Sequence, residues 1–582
     1  MCTPHLFSRA STTRHGTRRS PMHRPRRTPV VKHSNRLPIG LRWSIPLLAG
    51  ALALSACSDG GSAGSDAAST GEIIVVTPDQ ASNVVRDYAY TAGTDNQDVT
   101  NNMHAQLIRK PYVEEDGSDA LVQDYYNFEP YLAESYDVSE DQLVYTFKLK
   151  QGVSSQQGNE LDADDVLWSF ERKFATPGGG MAGYFKPMLT DPVTQIQKVD
   201  DYTVSFTVEK AGYGLTLLAN LAENIGSIYD SNYLIENATP DDPYAVQWGA
   251  EDMMRGNFGY GAYMLESVTP GQEIVMKANP DFVLGEPEVK RMIRRVVADP
   301  ATRANMVTRG DADVALALRS SDQASLEEND AVTVPTTTSN QYLLYAMNTT
   351  TAPFDDVRVR QAMAYAIPYD RIMSDVFFDR AYKYTHVLDD KAPNWDGSGL
   401  PQYEGDPERA KQMLADAGMP DGFAFTLSVN NQLPAAQDTA IQIQSYAAEA
   451  GIDVTISEVP AAQLNAEQLD GKIQASLSIG ASVTMTPPYS LQLLTQPGGG
   501  SNTALWNDPE FLGLVDQGLN AGDALSPEAG EYWNAAELRM TEQAPYIFIA
   551  RVRPSVALEA GIDGFVQRTD FRIDYSNLKF SQ

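Results

Sequence analysis

No cysteine follows Cys57 in this chain, so residues 58–582 must hold themselves together without an internal disulfide. Packed apolar cores have to do that work. At 582 residues the chain is too long for one ordinary core, and length alone suggests two to four domains. With 42% hydrophobic residues, there is enough apolar material to build them. Nothing after residue 57 approaches the roughly 18–20 consecutive apolar residues of a spanning helix.

Charge is divided along the chain. The first 43 residues hold ten Lys or Arg and no acid, whereas the stretch from Cys57 holds 34 basic against 76 acidic residues, a net of about −42. Such a surface repels nucleic acid and anionic headgroups. Histidine is as scarce as cysteine: four of the six lie in the basic leader (His5, His15, His23, His33), leaving His104 and His386. Most general-base, triad and transition-metal chemistry relies on those two residue types. There is no Gly-x-Ser-x-Gly, no His-Glu-x-x-His and no phosphate-binding Gly-Lys-Ser/Thr, since Gly471-Lys472 is followed by Ile473. The sequence thus predicts a binder rather than an enzyme, with no cofactor and no metal. A secreted hydrolase, the rival reading, would need a carboxylate pair. Asp164-Asp165 and Asp389-Asp390 are available, but in so acidic a chain they are expected to be solvated.

The leader stays basic through Arg42, then turns apolar from Trp43 to end at Cys57. An apolar segment of about 13 residues is too short to span a bilayer and reads as a signal peptide over 1–56. Leu54-Ser55-Ala56-Cys57 resembles the bacterial lipobox: small residues admit the extended chain to a peptidase, and only a thiol can form the lipid thioether. Cys57 is therefore the expected lipidation site, followed by a Ser/Gly-rich tether over 57–71. These features predict a body held at the outer face of a cell membrane by lipid alone, in the periplasm if the host has an outer membrane.

Within the body, Gly71–Thr77 reads as a buried strand, and Val144–Lys150, Tyr202–Val208 and Glu273–Lys277 alternate as half-buried strands expected to share one mixed sheet. Asp162 to Asp165 supplies a helix cap and acidic first turn ahead of Val166, Phe170 and Phe174. Asp406-Pro407 caps a helix that runs to Ala417, and Asp355-Asp356 begins another. Strands at Phe423–Val429 and Ile452–Val459 flank a helical stretch near 440–449, which suggests a second α/β lobe.

Several of these stretches, in this order, resemble the family 5 solute-binding proteins, the peptide-type receptors of ABC importers. Tyr145 to Arg172 (YTFKLKQGVSSQQGNELDADDVLWSFER) is similar to the family's strand, turn and Ala-x-Asp-Val helix. Gly256 to Gly271, the Asn279-Pro280-Asp281-Phe282 turn, Asn348 to Ile372, Asp406 to Gly418 and Glu531 to Pro545 match further family segments. The resemblance implies an α/β, two-lobed periplasmic-binding-protein-like fold of the large type with an extra subdomain, its lobes joined by two hinge strands. Lobe 1 would cover 72–298 with the subdomain at about 116–190. Lobe 2 would cover 299–548, with 549–582 returning to lobe 1. The chain would cross near Val296–Asp299 and return near Pro545–Arg551.

The implied partners are a small-molecule or peptide ligand held between the lobes and an ABC permease with its ATPase subunits; the receptor itself would be a monomer. Family members that take dipeptides hold the amine with an Asp in a Trp-x-x-Asp loop. The matching loop here, Ile479 to Ser490 (IGASVTMTPPYS), has no acid, and Leu433 to Thr439 (LPAAQDT) lacks the carboxylate-binding Arg. A short zwitterion would enter such a cleft with its charges unpaired, at a cost of several kcal/mol. A simple dipeptide is therefore not the expected ligand. Tyr342, His386, Trp395, Thr484 and Tyr489, in loops corresponding to cleft-facing positions, are the candidate ligand contacts. A nickel- or haem-type receptor of the same fold is the remaining alternative.

Overall fold

The computed structural model describes residues 71–81, 94–176 and 180–581; the leader, Cys57 and the tether lie outside the described residues. Two mixed sheets organise the rest. The first has seven strands. Glu72–Thr77 runs parallel to Arg291–Val296 and Val314–Leu316, with the antiparallel pair Glu273–Ala278 and Tyr263–Thr269 beyond one side and Val556–Glu559 and Val332–Thr333 beyond the other. The second has six strands, in the order Ala381–Lys383, Tyr546–Val552, Gln341–Met347, Ala475–Ala481, Phe423–Asn430 and Ile452–Val459.

Period-two side-chain alternation explains why each sheet can sit inside a lobe. Along Glu72–Thr77, Ile73 and Val75 enter one hydrophobic cluster while Ile74 and Val76 face another. Along Gln341–Met347, Leu343, Tyr345 and Met347 pack within the second lobe. Tyr342, Leu344 and Ala346 face the opposite way. A strand buried on both faces reads as a continuous apolar run, which is how YLLYAM reads in the sequence.

The helices begin where their caps place them. The Asp162 carboxylate accepts from the Asp164 and Asp165 N–H groups and Asp165 returns the bond to the Asp162 N–H, starting Ala163–Ala175. Asp406 accepts from the Arg409 N–H at the head of Pro407–Asp416. Helix Pro434–Ala447 joins the parallel strands Phe423–Asn430 and Ile452–Val459, as the strand–helix–strand reading expected.

Four expectations are corrected. The strands do not share one sheet: Val144–Leu149 and Thr203–Thr207 form a separate four-stranded sheet with Ala133–Val138 and Ile196–Asp200, in which two hairpins, Ala133–Val138 with Val144–Leu149 and Ile196–Asp200 with Thr203–Thr207, join through their inner strands. This small sheet runs to Thr207, past the 116–190 subdomain limits. The chain also does not leave the first lobe near Val296–Asp299. Val314–Leu316 and Val332–Thr333 still pair in the first sheet, so the crossing lies at 334–340, and residues 299–333 belong with lobe 1. The return falls at 553–555, since Tyr546–Val552 completes the second sheet and Val556–Glu559 enters the first. Regular strands alternate alike on both sides of a crossing, so periodicity cannot mark it.

Candidate ligand site between the lobes

The outward face of the second sheet does not end in solvent. Tyr342, Leu344, Tyr546 and Phe548 belong to one continuous cluster with Phe147, Phe206, Leu217 and Leu221 of the small-sheet region and with Tyr489, Leu491 and Trp533. Two close approaches fix this contact. A Cβ on Gly212 would lie 2.7 Å from Leu519 Cα, so only glycine lets the 211–213 turn meet the helix Pro509–Asn520. The Thr216 and Thr486 hydroxyls lie 2.8 Å apart, both side chains buried. Lys210 pairs with Asp516 nearer the rim.

Within this seam the structure brings together three of the five expected contacts. Thr484 is 0% exposed, and its hydroxyl has no hydrogen-bond partner among the described residues. Tyr489, 9% exposed, stacks on Tyr184 with ring centroids 6.2 Å apart and 23° between planes. Tyr342, 6% exposed, packs edge-on against Phe548 at 5.3 Å, and Gly480 leaves it room, since a Cβ there would lie 2.9 Å from its ring. Burial is the main cause that raises the pKa of the Tyr342 hydroxyl, which therefore stays protonated and uncharged at physiological pH.

His386 and Trp395 lie elsewhere. Their rings are 5.2 Å apart, His386 Nε2 lies 2.8 Å from Asp390 Oδ1, and the Trp395 Nε1–H donates to the same oxygen at 3.2 Å. The His386 hydrogen bond is the leading cause that lowers the Asp390 carboxyl. They line an open pocket of about 500 Å³ built from residues 383–402, all within the second lobe. Beneath it, the buried Glu537 carboxylate accepts the Val387 and Leu388 N–H groups at 3.0–3.2 Å, and burial raises its pKa. Among the described residues no group of three or more His, Cys, Asp or Glu is placed to hold a metal ion.

Between the two groups lies a polar corner that sequence reasoning missed. The buried Arg551 guanidinium sits 4.0 Å above the Tyr384 ring and donates to the Ser339 carbonyl at 3.3 Å. Nearby, Asp389 is buried rather than solvated, accepting the Tyr126 hydroxyl at 2.9 Å, with burial raising its pKa and the Arg551 charge opposing that shift. Tyr126 comes from the first lobe and Asp389 from the second. Glu115 and Lys391 form a second pair across the same boundary. One signal was available: Arg551 is the lone charge in the apolar run YIFIARV.

Two α/β lobes, two connections between them and a buried seam carrying unsatisfied polar groups define a two-lobed solute-binding protein. The family model of the bacterial extracellular solute-binding proteins, family 5 Middle, matches residues 127–502, and the chain belongs to that family. It is therefore an extracellular solute-binding protein. Among curated relatives, the heme-binding protein A of Haemophilus influenzae is 27% identical over 460 residues, covering 76% of this chain and 82% of that protein. The di/tripeptide-binding protein 2 of Pseudomonas aeruginosa is 27% identical over 475 residues, covering 77% and 86%. The fold is that of the periplasmic binding protein DppA of Helicobacter pylori in complex with the peptide STSA, with a TM-score of 0.72 and 22% identity over 88% of this chain and 98% of that one.

Proposed function

We propose that this receptor takes a peptide-type or other solute into the seam around Thr484, holding it by hydrogen bonds and aromatic surfaces rather than by charged ends, and passes it on unchanged. The observation that carries this reading is Thr484 itself. It is wholly buried, its hydroxyl is unsatisfied, and it lies in the 479–490 loop, which matches the loop where dipeptide receptors of the resembling family carry an acid but has none itself. A buried hydroxyl without a partner costs about 1–3 kcal/mol, which a ligand's amide or hydroxyl would recover. A free ammonium at the same place would find no countercharge in the 479–490 loop.

Closure over the ligand is a population shift, favoured only by contacts made in the closed form. The Tyr126–Asp389 and Thr216–Thr486 bonds are of that kind, since each joins residues of the two lobes. Cys57 would carry the lipid that keeps a monomeric receptor at the outer face of the membrane beside its permease. No bond in the ligand has to change. The His386–Asp390 pair lies in an open pocket of the second lobe alone.

Native mass spectrometry of protein from its own host, followed by calorimetry with the ligand it releases, tests this. A ligand of unaltered mass that rebinds, with zwitterionic Ala-Ala failing to compete, is the expected result. Tight binding of Ala-Ala, or release of a chemically changed ligand, defeats the proposal.

A further inference from the structure

Outward from Tyr489 the seam opens into a slot of about 310 Å³. One wall comes from Gly183, Tyr184, Pro187 and Met188 with Tyr213 and Thr216; the other comes from Tyr489, Gln492 and Leu493 with Gln496 and Gly499 to Ser501. The walls are tied where the Gln492 amide donates to the Tyr213 hydroxyl at 3.2 Å. Its chemistry sets it apart. The slot has no charged side chain in its lining, in a chain of formal net charge −32. By contrast, four other cavities among the described residues each carry at least two charged side chains, such as Arg109 and Asp574 in one and Asp98 and Arg294 in another.

We propose that this slot is a subsite for an uncharged aromatic side chain of the ligand. The assignment rests on the reading of the seam as a site for a peptide-type solute. Three tyrosines, Pro187, Met188 and Leu493 offer flat apolar surface on which a ring can stack offset or edge-on. A charged group entering here would lose its hydration with nothing to replace it. A slot of about 310 Å³ has room for an aromatic side chain. A Cβ at Gly183 or Gly500 meets nothing within 4 Å, so a larger side chain at either position has open space to enter. Because the walls belong to different lobes, a ring seated here is held only in the closed form, so it adds to closure as well as to affinity.

Acetylated, amidated tetrapeptides of Ala and Ser, with Phe, Glu or Ser placed in turn at each position, test the proposal against the full chain by calorimetry. The best Phe peptide should bind about tenfold tighter than its Ser counterpart, roughly the discrimination a hydrophobic pocket gives, and the Glu peptide weaker than both. Gly183→Trp should fill the slot from an exposed helix position and erase the Phe preference, so that the Phe and Ser peptides bind alike. Gly500→Phe does the same from the opposite wall and stands in if the first variant misfolds. Equal affinity for Phe and Ser peptides, or a Phe preference that survives both variants, overturns the subsite while leaving the seam reading intact. Binding by none of the peptides sinks the peptide reading and the subsite together.

Discussion

The seam around Thr484 and the pocket around His386 contain similar aromatic residues, yet they are built differently. The seam draws on both lobes, buries its polar side chains and keeps them uncharged: Thr484, Thr216 and Thr486 beside Tyr342 and Tyr489. The pocket is made by residues 383–402 alone, stays open and holds the Asp390 carboxylate against His386. Only a site that changes when the lobes meet can couple binding to closure. A pocket confined to one lobe presents the same surface in either state. Residue type suggested both places equally; the coupling belongs to the seam.

The comparison is broken most directly by Thr484→Arg. A guanidinium buried in the seam without a countercharge should lower affinity for the native ligand at least 100-fold, on the order of 3 kcal/mol. Calorimetry reads this effect, and Thr484→Val, which removes only the hydroxyl, should lose far less. If Thr484→Arg binds normally, the ligand lies elsewhere.

Glu537→Ala attacks the pocket from below. With the Val387 and Leu388 N–H groups left without their acceptor, stability should fall by about 2–3 kcal/mol in urea unfolding, with little change in ligand affinity. The same carboxyl gives a pH signature. Burial raises its folded-state value above the ordinary 4.5. Its contribution to stability is therefore complete below about pH 4.5 and is lost as pH rises through the folded value. Relative to Glu537→Gln, the wild type should lose stability over that rise, and parallel curves would refute the assignment.

Smaller effects sharpen the contrast. Thr216→Val should cost about 1 kcal/mol by leaving the Thr486 hydroxyl unpaired, and it should weaken ligand binding in proportion because the bond joins the lobes. His386→Ala should change ligand affinity by less than about twofold. A larger loss, or a haem absorption shift that disappears in this variant, would return the pocket to contention.

Local signals in the chain were sufficient for much of the architecture. Asp162 and Asp406 capped the helices they announced, and Phe423–Asn430, Pro434–Ala447 and Ile452–Val459 form the strand, helix and strand the patterning predicts. The two-lobed fold class was also reached, through collinear resemblance rather than periodicity. What stayed hidden was non-local. The assignment of Val144–Leu149 to its own sheet, the crossing at 334–340 and the burial of Asp389 all depend on partners far along the chain.

The amino-acid order settled the element types, the absence of disulfides after Cys57 and the missing acid in the 479–490 loop, because each is a property of neighbouring residues. Tertiary structure alone decided that Tyr342 faces the other lobe, and that Tyr184 meets Tyr489 while His386 stays apart. Contacts such as Thr216–Thr486 join positions 270 residues apart. Close packing selects such pairs through shape and space, as at Gly212 against Leu519, and no local pattern encodes them.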